Sequence, residues 1–206
     1  ELTKICRQTE TLLLVDDAHG FGVLGKTGAG SLEQHEIRVG NGVLMLGTLG
    51  KAAGSFGAFI AGDAVYIDSL IQHARPYIYT TALPPSIAAA TLTAIEIFQS
   101  EPERRGKLNS NIEYFRQAID NLHLNALDSK TAIQPILLGD SETALRATKL
   151  LQQQGLWITA IRPPTVPTGT ARIRITISSE HRQSDLDQLI EALSSDAMLA
   201  LTETAQ

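Results

Sequence analysis

In Val43-Leu44-Met45-Leu46-Gly47-Thr48-Leu49-Gly50-Lys51-Ala52-Ala53-Gly54 an apolar run is followed at once by a lysine set among glycines and alanines. Val43 to Leu46 reads as a short buried strand bounded by Gly40 and Gly42. Lys51 has no acidic neighbour, whereas a solvated lysine usually keeps polar company. An ammonium in an apolar, close-packed site has its pKa pushed down, and the neutral amine can attack a carbonyl to form a Schiff base. The competing reading is a strand-to-loop turn whose lysine faces water, and these residues alone leave both open.

One strand earlier, Thr11-Leu12-Leu13-Leu14-Val15 runs into Asp16-Asp17-Ala18-His19. A run apolar on both faces suits a strand in a sheet covered on both sides. An acid at the carboxyl end of such a strand lies where open α/β sheets place their ligands. Asp16 could hold a protonated heterocyclic nitrogen there, and His19 could donate a hydrogen bond to a neighbouring oxygen. The alternative is an Asp that caps the next turn beside a surface histidine. Taken with Lys51, the pair gains weight. An acid for a ring nitrogen and a lysine for an aldehyde are the two protein groups that pyridoxal phosphate requires.

Between these strands lies Gly20-Phe21-Gly22-Val23-Leu24-Gly25-Lys26-Thr27, which matches the P-loop pattern. Its Gly20, Gly22 and Gly25 also match the dinucleotide fingerprint. Both motifs need a strand ending at the first glycine and a helix opening on the phosphate. Here Asp17-Ala18-His19 intervene, and Gly28 and Gly30 cost about 1 kcal/mol each in a helix interior. A nucleotide-binding module using Lys26 and Thr27 is therefore the alternative, and a glycine-rich turn shaped for backbone reasons is preferred.

Further along, Ala58 to Ala61 reads as a strand, Asp63 to Ala74 as a helix, and Pro84-Pro85 opens a helix over Ser86 to Phe98. The charged, proline-containing segment Glu101 to Lys107 marks a domain boundary, giving parts 1–100 and 101–206. Beyond it the pattern predicts a helix over Pro102 to Leu127 that is interrupted or ends near Asn125. A strand over Ile133 to Leu138 and a helix over Ser141 to Gln154 capped by Gly155 come next. Strands over Leu156 to Ile161 and Ala171 to Ser178, a helix over Ser184 to Leu193, and a loosely ordered tail from Ser194 complete the chain. The second part is expected to be a small α/β unit with its sheet covered on one side.

Composition bounds the rest. With 43% hydrophobic and 19% charged residues, the 206-residue chain can bury a sizeable core. A net charge of -5 without a basic, aromatic-rich run argues against a nucleic-acid partner. The single Cys6 excludes an internal disulfide framework and fits a reducing, cytoplasmic compartment. No stretch is long enough to span a bilayer, so no membrane partner is expected, and no metal is expected either. The opening Glu1-Leu2-Thr3-Lys4 has no initiator methionine and enters a strand almost at once, as a processed product or a fragment would.

Four motifs together resemble the α-oxoamine synthases, which are fold-type I pyridoxal-phosphate enzymes. They are Asp16 to Gly25, Thr48-Leu49-Gly50-Lys51, Tyr79-Thr80-Thr81-Ala82-Leu83-Pro84-Pro85 and Arg162-Pro163-Pro164-Thr165-Val166-Pro167, in the family's order. The resemblance spans Thr11 to Leu193. It implies an α/β fold: part of a large cofactor-binding domain with a mostly parallel sheet, then a small C-terminal α/β domain. It also implies that the chain is the C-terminal half of a longer enzyme, whose other half stacks a side chain on the cofactor ring.

The implied activity is decarboxylative condensation of an amino acid with an acyl thioester. The residues flanking the acid-x-x-His motif, and an arginine before Pro-Pro-Thr-Val-Pro, favour L-alanine and a pimeloyl thioester over a glycine-using relative. By the resemblance, Lys51 forms the Schiff base and then moves protons. Asp16 keeps the ring nitrogen protonated, His19 hydrogen-bonds the phenolic oxygen, and Thr48 contacts phosphate. Thr80 and Thr81 are implied to reach the phosphate of a neighbouring subunit in a homodimer with a shared active site. Arg162, with Thr165 beside it, is implied to bind a substrate carboxylate.

Overall fold

The structure is a computed structural model and describes residues 1–122 and 124–203. Its contacts divide the chain into two compact units, Glu1–Pro102 and Glu103–Gln206.

The first unit holds a three-stranded sheet in the order β1 (Leu13–Asp16), β2 (Val43–Thr48), β3 (Ala58–Ala61). β1 and β2 are parallel, with Asp16 opposite Leu46, so both strands end at the same edge. The long connection between them supplies the crossover that parallel pairing needs. β3 returns antiparallel after a short turn, pairing Thr48 with Ala58. Leu32, Val43 and Met45 are buried together, with Leu13, Val15, Phe21, Ile37 and Phe59 packed against them.

β1 departs from the expectation of two covered faces. Its burial alternates, and Leu12 and Leu14 remain 43% and 53% exposed. Successive side chains point to opposite faces, so Leu13 and Val15 enter the core while their neighbours do not. The opening residues are also helical rather than leading directly into a strand: α1 covers Leu2–Gln8. Two further short helices had no sequence expectation, α2 (Ser31–Gln34) and α4 (Arg75–Ile78). α3 (Ala64–His73) and α5 (Pro85–Ser100) occupy the predicted segments, and neither buries a side chain fully.

In the second unit α6 (Glu103–Asn121) precedes an antiparallel sheet in the order β4 (Ile133–Gly139), β6 (Ala171–Thr176), β5 (Thr159–Ile161). α7 (Ser141–Gln153), α8 (Gln183–Leu193) and α9 (Asp196–Glu203) complete it. β6 shows the alternation its sequence carries: Ala171, Ile173 and Ile175 are buried, and Arg172, Arg174 and Thr176 are not. Phe115, Ile119, Ile136, Leu138, Leu151, Leu186 and Leu193 bury their side chains alongside them.

Three expectations are corrected here. α6 stops at Asn121, because Leu124 to Leu127 turn to β4, with Leu127 N–H donating to Pro135 O at 3.0 Å and Leu137 N–H to Asn125 O at 2.8 Å. Residue 123, inside the segment predicted as helix, lies outside the described residues. β5 starts at Thr159 rather than Leu156, because Leu156 N–H closes the end of α7 on Leu151 O. The expected loose tail is α9, anchored by Met198 and Leu201, both buried; its final stretch, 204–206, lies outside the described residues.

Asp140 caps α7, accepting from Glu142 N–H at 2.8 Å and Thr143 N–H at 2.9 Å. The Thr143 hydroxyl, donating at 2.7 Å, is the main cause that holds this carboxyl below its ordinary pKa, with the Thr143 backbone N–H next. A carboxylate more acidic in the folded than the unfolded chain adds stability above its unfolded pKa and loses it as pH falls through the folded value. Asp140→Ala is therefore expected to lower the melting temperature at neutral pH. The gap to the parent should narrow under acid conditions, as thermal melts at a series of pH values would show.

Candidate active site

The parallel pairing of β1 and β2 puts two short turns side by side at the carboxyl edge of the first sheet. The turn after β1 carries Asp16, Ala18 and His19, and the turn after β2 carries Thr48 and Lys51. A line of hydrogen bonds joins them. The Ala18 N–H donates to Asp16 Oδ1 at 3.1 Å, the Thr48 hydroxyl donates to Ala18 O at 3.3 Å, and Lys51 Nζ donates to Thr48 Oγ1 at 3.2 Å. An acid and an amine thus share one strand edge, linked through the backbone of Ala18 and a hydroxyl.

The Lys51 turn is closed by its own backbone. Leu49 N–H donates to Gly57 O at 2.9 Å, Ser55 N–H to Leu49 O at 2.8 Å, and Gly54 N–H to Lys51 O at 2.9 Å. The Ser55 and Thr91 hydroxyls, 2.7 Å apart, tie it to α5. Leu49 and Ala53 face inward and are buried, so Lys51 and Ala52 are left on the outer side. Of the two readings the sequence left open, the water-facing one matches the exposure of Lys51, which is exposed among the described residues.

The glycine-rich loop serves this turn. At Gly22, whose φ is +81°, an added Cβ would lie 2.8 Å from Ala52 Cβ and 2.6 Å from Phe98 Cζ. Only glycine lets the loop pass so close to the residue after Lys51. Phe21 fixes the loop from beneath, meeting Phe59 edge-on at 5.0 Å and Phe98 at 5.7 Å between ring centroids.

The same loop does not form a P-loop. Lys26 starts no helix, and α2 begins only at Ser31. The backbone N–H groups of Thr27 and Ala29 point to the Glu33 carboxylate, at 3.0 and 3.1 Å to Oε2, and the Thr27 hydroxyl donates to Oε1 at 3.0 Å. An internal carboxylate takes the amides that a phosphate would need. The nucleotide-binding reading of Lys26 and Thr27 is overturned, and the dinucleotide reading fails with it.

Of the residues singled out in the sequence, Asp16, His19, Thr48 and Lys51 gather at the carboxyl edge of the sheet. Thr80 and Thr81 lie exposed between α4 and α5, flanked by the exposed Tyr77, Tyr79 and Leu83. Arg162 directly follows β5 in the second unit, and Thr165 N–H donates back to Arg162 O at 3.0 Å, closing a turn that presents both exposed side chains. Two carboxylates that organise the loop, Asp17 and Glu33, were not singled out in the sequence. For Asp17 the signal was present, because the alternation of β1 carries over to the residue after Asp16 and turns it inward. Among the described residues no group of three or more His, Cys, Asp or Glu side chains could hold a metal ion, and no helix is long and apolar enough to cross a membrane.

Comparison with known proteins adds a second line. The profile of the family described as aminotransferase class I and II matches residues 1–193. The chain is 48% identical over 193 residues to an 8-amino-7-oxononanoate synthase of Saccharophagus degradans, covering 94% of this chain and 49% of that protein. It is 50% identical, with the same coverage, to one of Thioalkalivibrio sulfidiphilus. The chain thus spans about half the length of the curated relatives it matches. Among solved structures, a serine palmitoyltransferase of S. paucimobilis with a bound PLP–myriocin aldimine superposes with a TM-score of 0.87 at 25% identity, over 99% of this chain and 50% of that one. An 8-amino-7-oxononanoate synthase of Francisella tularensis gives 0.79 at 32% identity, over 98% and 58%.

Proposed function

Because the chain belongs to the aminotransferase class I and II family, we propose that it is the catalytic part of a pyridoxal-phosphate-dependent acyltransferase of biotin synthesis. Its reaction would condense L-alanine with a pimeloyl thioester, on CoA or a carrier protein, to 8-amino-7-oxononanoate. Carbon dioxide leaves from the amino acid and the thiol leaves from the acyl group. The observation that carries this reading is the hydrogen-bonded line from Asp16 through Ala18 and Thr48 to Lys51. The names of the curated relatives support the product, and the PLP-bound serine palmitoyltransferase supports the cofactor.

The donor set fits the cofactor: an acid for its ring nitrogen and an amine for its aldehyde stand on adjacent strand ends. Pyridoxal phosphate, when bound, supplies an electron sink for the pair left at the substrate's α-carbon. Lys51 Nζ holds it by the aldehyde, then takes the α-proton of the amino acid and returns one at the end. Thr48 Oγ1, which accepts from Lys51 Nζ, orients that amine and would contact the cofactor's phosphate. Asp16, with Oδ1 already fixed by the Ala18 N–H, keeps the ring nitrogen protonated. His19 donates to the phenolic oxygen.

Thr80 and Thr81 reach the phosphate in a second subunit of a homodimer. The exposed Tyr77, Tyr79 and Leu83 beside them support this, being surface of a kind that partners cover. Arg162 holds the substrate carboxylate through its planar fork, with Thr165 as neighbour. A cytoplasmic location goes with such small-molecule chemistry.

Product analysis by mass spectrometry, on the complete polypeptide loaded with pyridoxal phosphate, tests the reading. Alanine with a pimeloyl thioester should give 8-amino-7-oxononanoate and carbon dioxide. Turnover of glycine with acetyl or succinyl thioesters instead would assign the chain to a different α-oxoamine synthase. In the same assay Arg162→Lys should raise the KM for alanine roughly 10- to 100-fold, with a smaller effect on kcat. That is the value of a charge-assisted hydrogen bond, about 1.5–3 kcal/mol. An unchanged KM would remove Arg162 from the substrate site.

A further inference from the structure

Among the described residues Asp17 is the buried charged residue, 5% exposed, at the point where β1 hands over to the turn bearing His19. Its Oδ2 accepts the Ser31 N–H at 2.6 Å. Its backbone carbonyl accepts Gly20 N–H and Phe21 N–H, both at 3.0 Å, and its own N–H donates to Leu46 O on β2 at 2.8 Å. Two glycines close over the carboxylate. A Cβ at Gly20 would lie 2.1 Å from Oδ1, and one at Gly30 would lie 1.9 Å from Oδ2. One side chain therefore sets the distance between the two ends of the glycine-rich loop, Gly20 beside His19 and Gly30 beside α2.

We infer that Asp17 is a positioning residue for the cofactor site: its buried carboxylate holds the Asp17–Gly20 turn so that Asp16 and His19 leave the strand end in a fixed direction. The inference rests on the proposed pyridoxal-phosphate function. Asp17 directly follows Asp16, the last residue of β1, and still bonds Leu46 O of β2, so the outward aim of the first is tied to the inward anchoring of the second. Ala18, buried between them and His19, donates its N–H to Asp16 and, on the following peptide, offers its carbonyl to the Thr48 hydroxyl. Release of the Asp17 carboxylate frees the two peptides on either side of Ala18 to shift, which moves the acid, the histidine and the hydroxyl behind Lys51. Asp17 itself touches neither substrate nor cofactor.

The test compares Asp17→Ala, Asp17→Asn and Val43→Ala in the complete, cofactor-loaded protein. Val43 is a buried core residue on β2 outside the site, and its truncation controls for loss of stability alone. Two readouts besides activity apply: the dissociation constant for pyridoxal phosphate, and the visible circular dichroism of the bound cofactor, which reports how the ring is held. Asp17→Ala should weaken cofactor binding roughly tenfold and change the dichroic band, as loss of an outer partner of a ligand-bearing group does. Asp17→Asn keeps the shape and an acceptor for the Ser31 N–H, and should restore most of both. Val43→Ala should leave both unchanged.

Asp17→Ala indistinguishable from Val43→Ala, or Asp17→Asn as damaging as Asp17→Ala, overturns the inference. The parent and Lys51→Ala, measured alongside, separate the two failures. If the parent itself binds no pyridoxal phosphate and shows no visible band, the cofactor reading itself is wrong; a band that survives in Lys51→Ala removes only Lys51 from it. If Lys51→Ala loses the band while Asp17→Ala matches Val43→Ala, only the role of Asp17 is wrong.

Discussion

Lys51→Ala is expected to abolish the near-visible absorption of the pyridoxal-phosphate-loaded protein and to lower turnover about 10³-fold or more. The size of the effect follows from two losses in one side chain. The amine that holds the aldehyde is gone, and so is the base that moves the α-proton; general acid–base catalysis alone contributes about 10²- to 10⁴-fold. Folding should survive, because Lys51 is exposed and its turn is closed by backbone bonds between Leu49, Ser55 and Gly57. Lys26→Ala, in a loop whose amides are already taken by Glu33, should retain the band and the activity. A band that survives in Lys51→Ala would remove the amine from the chemistry.

Asp16→Asn should cost about 10²-fold or more in kcat while leaving the protein folded and the cofactor bound. The amide oxygen can still accept the Ala18 N–H that now lies 3.1 Å from Asp16 Oδ1, so the turn keeps its shape. What is lost is the negative charge that keeps a ring nitrogen protonated, and with it the pull on electrons at the α-carbon. Because that pull acts in the transition state more than on the bound substrate, kcat should fall with little change in KM. Steady-state kinetics give the split. A kcat within a few-fold of the parent would place another group opposite the ring nitrogen.

Much of this site was legible in the sequence because strand ends are. An apolar run that stops at Asp16, and a second that stops just before Lys51, suffice to put both groups at one sheet edge once the strands are parallel. The glycine-rich loop was harder, since Gly20 to Thr27 fits a phosphate-binding pattern letter for letter. What separates a P-loop from this loop is where the amides point, and that depends on Glu33 and Asp17, residues outside the pattern.

Exposure was the least legible property. The small neighbours of Lys51 suggested enclosure, yet Ala53 packs inward and Lys51 outward on the same tight turn. α9 was missed because its order comes from burying Met198 and Leu201 rather than from any start or stop signal. The end of α6 was misread for a similar reason: Leu124 to Leu127 are apolar enough to continue a helix, but their backbone pairs with β4.

The most direct measurement fixes the cofactor to whichever amine holds it. Borohydride reduction of the loaded, complete protein, followed by proteolysis and mass spectrometry, reads that position without reference to turnover. The pyridoxyl adduct should be found on the peptide containing Lys51 and on no other lysine. An adduct on Lys26 or another lysine, with Lys51 unmodified, would contradict the assignment on which the site is built.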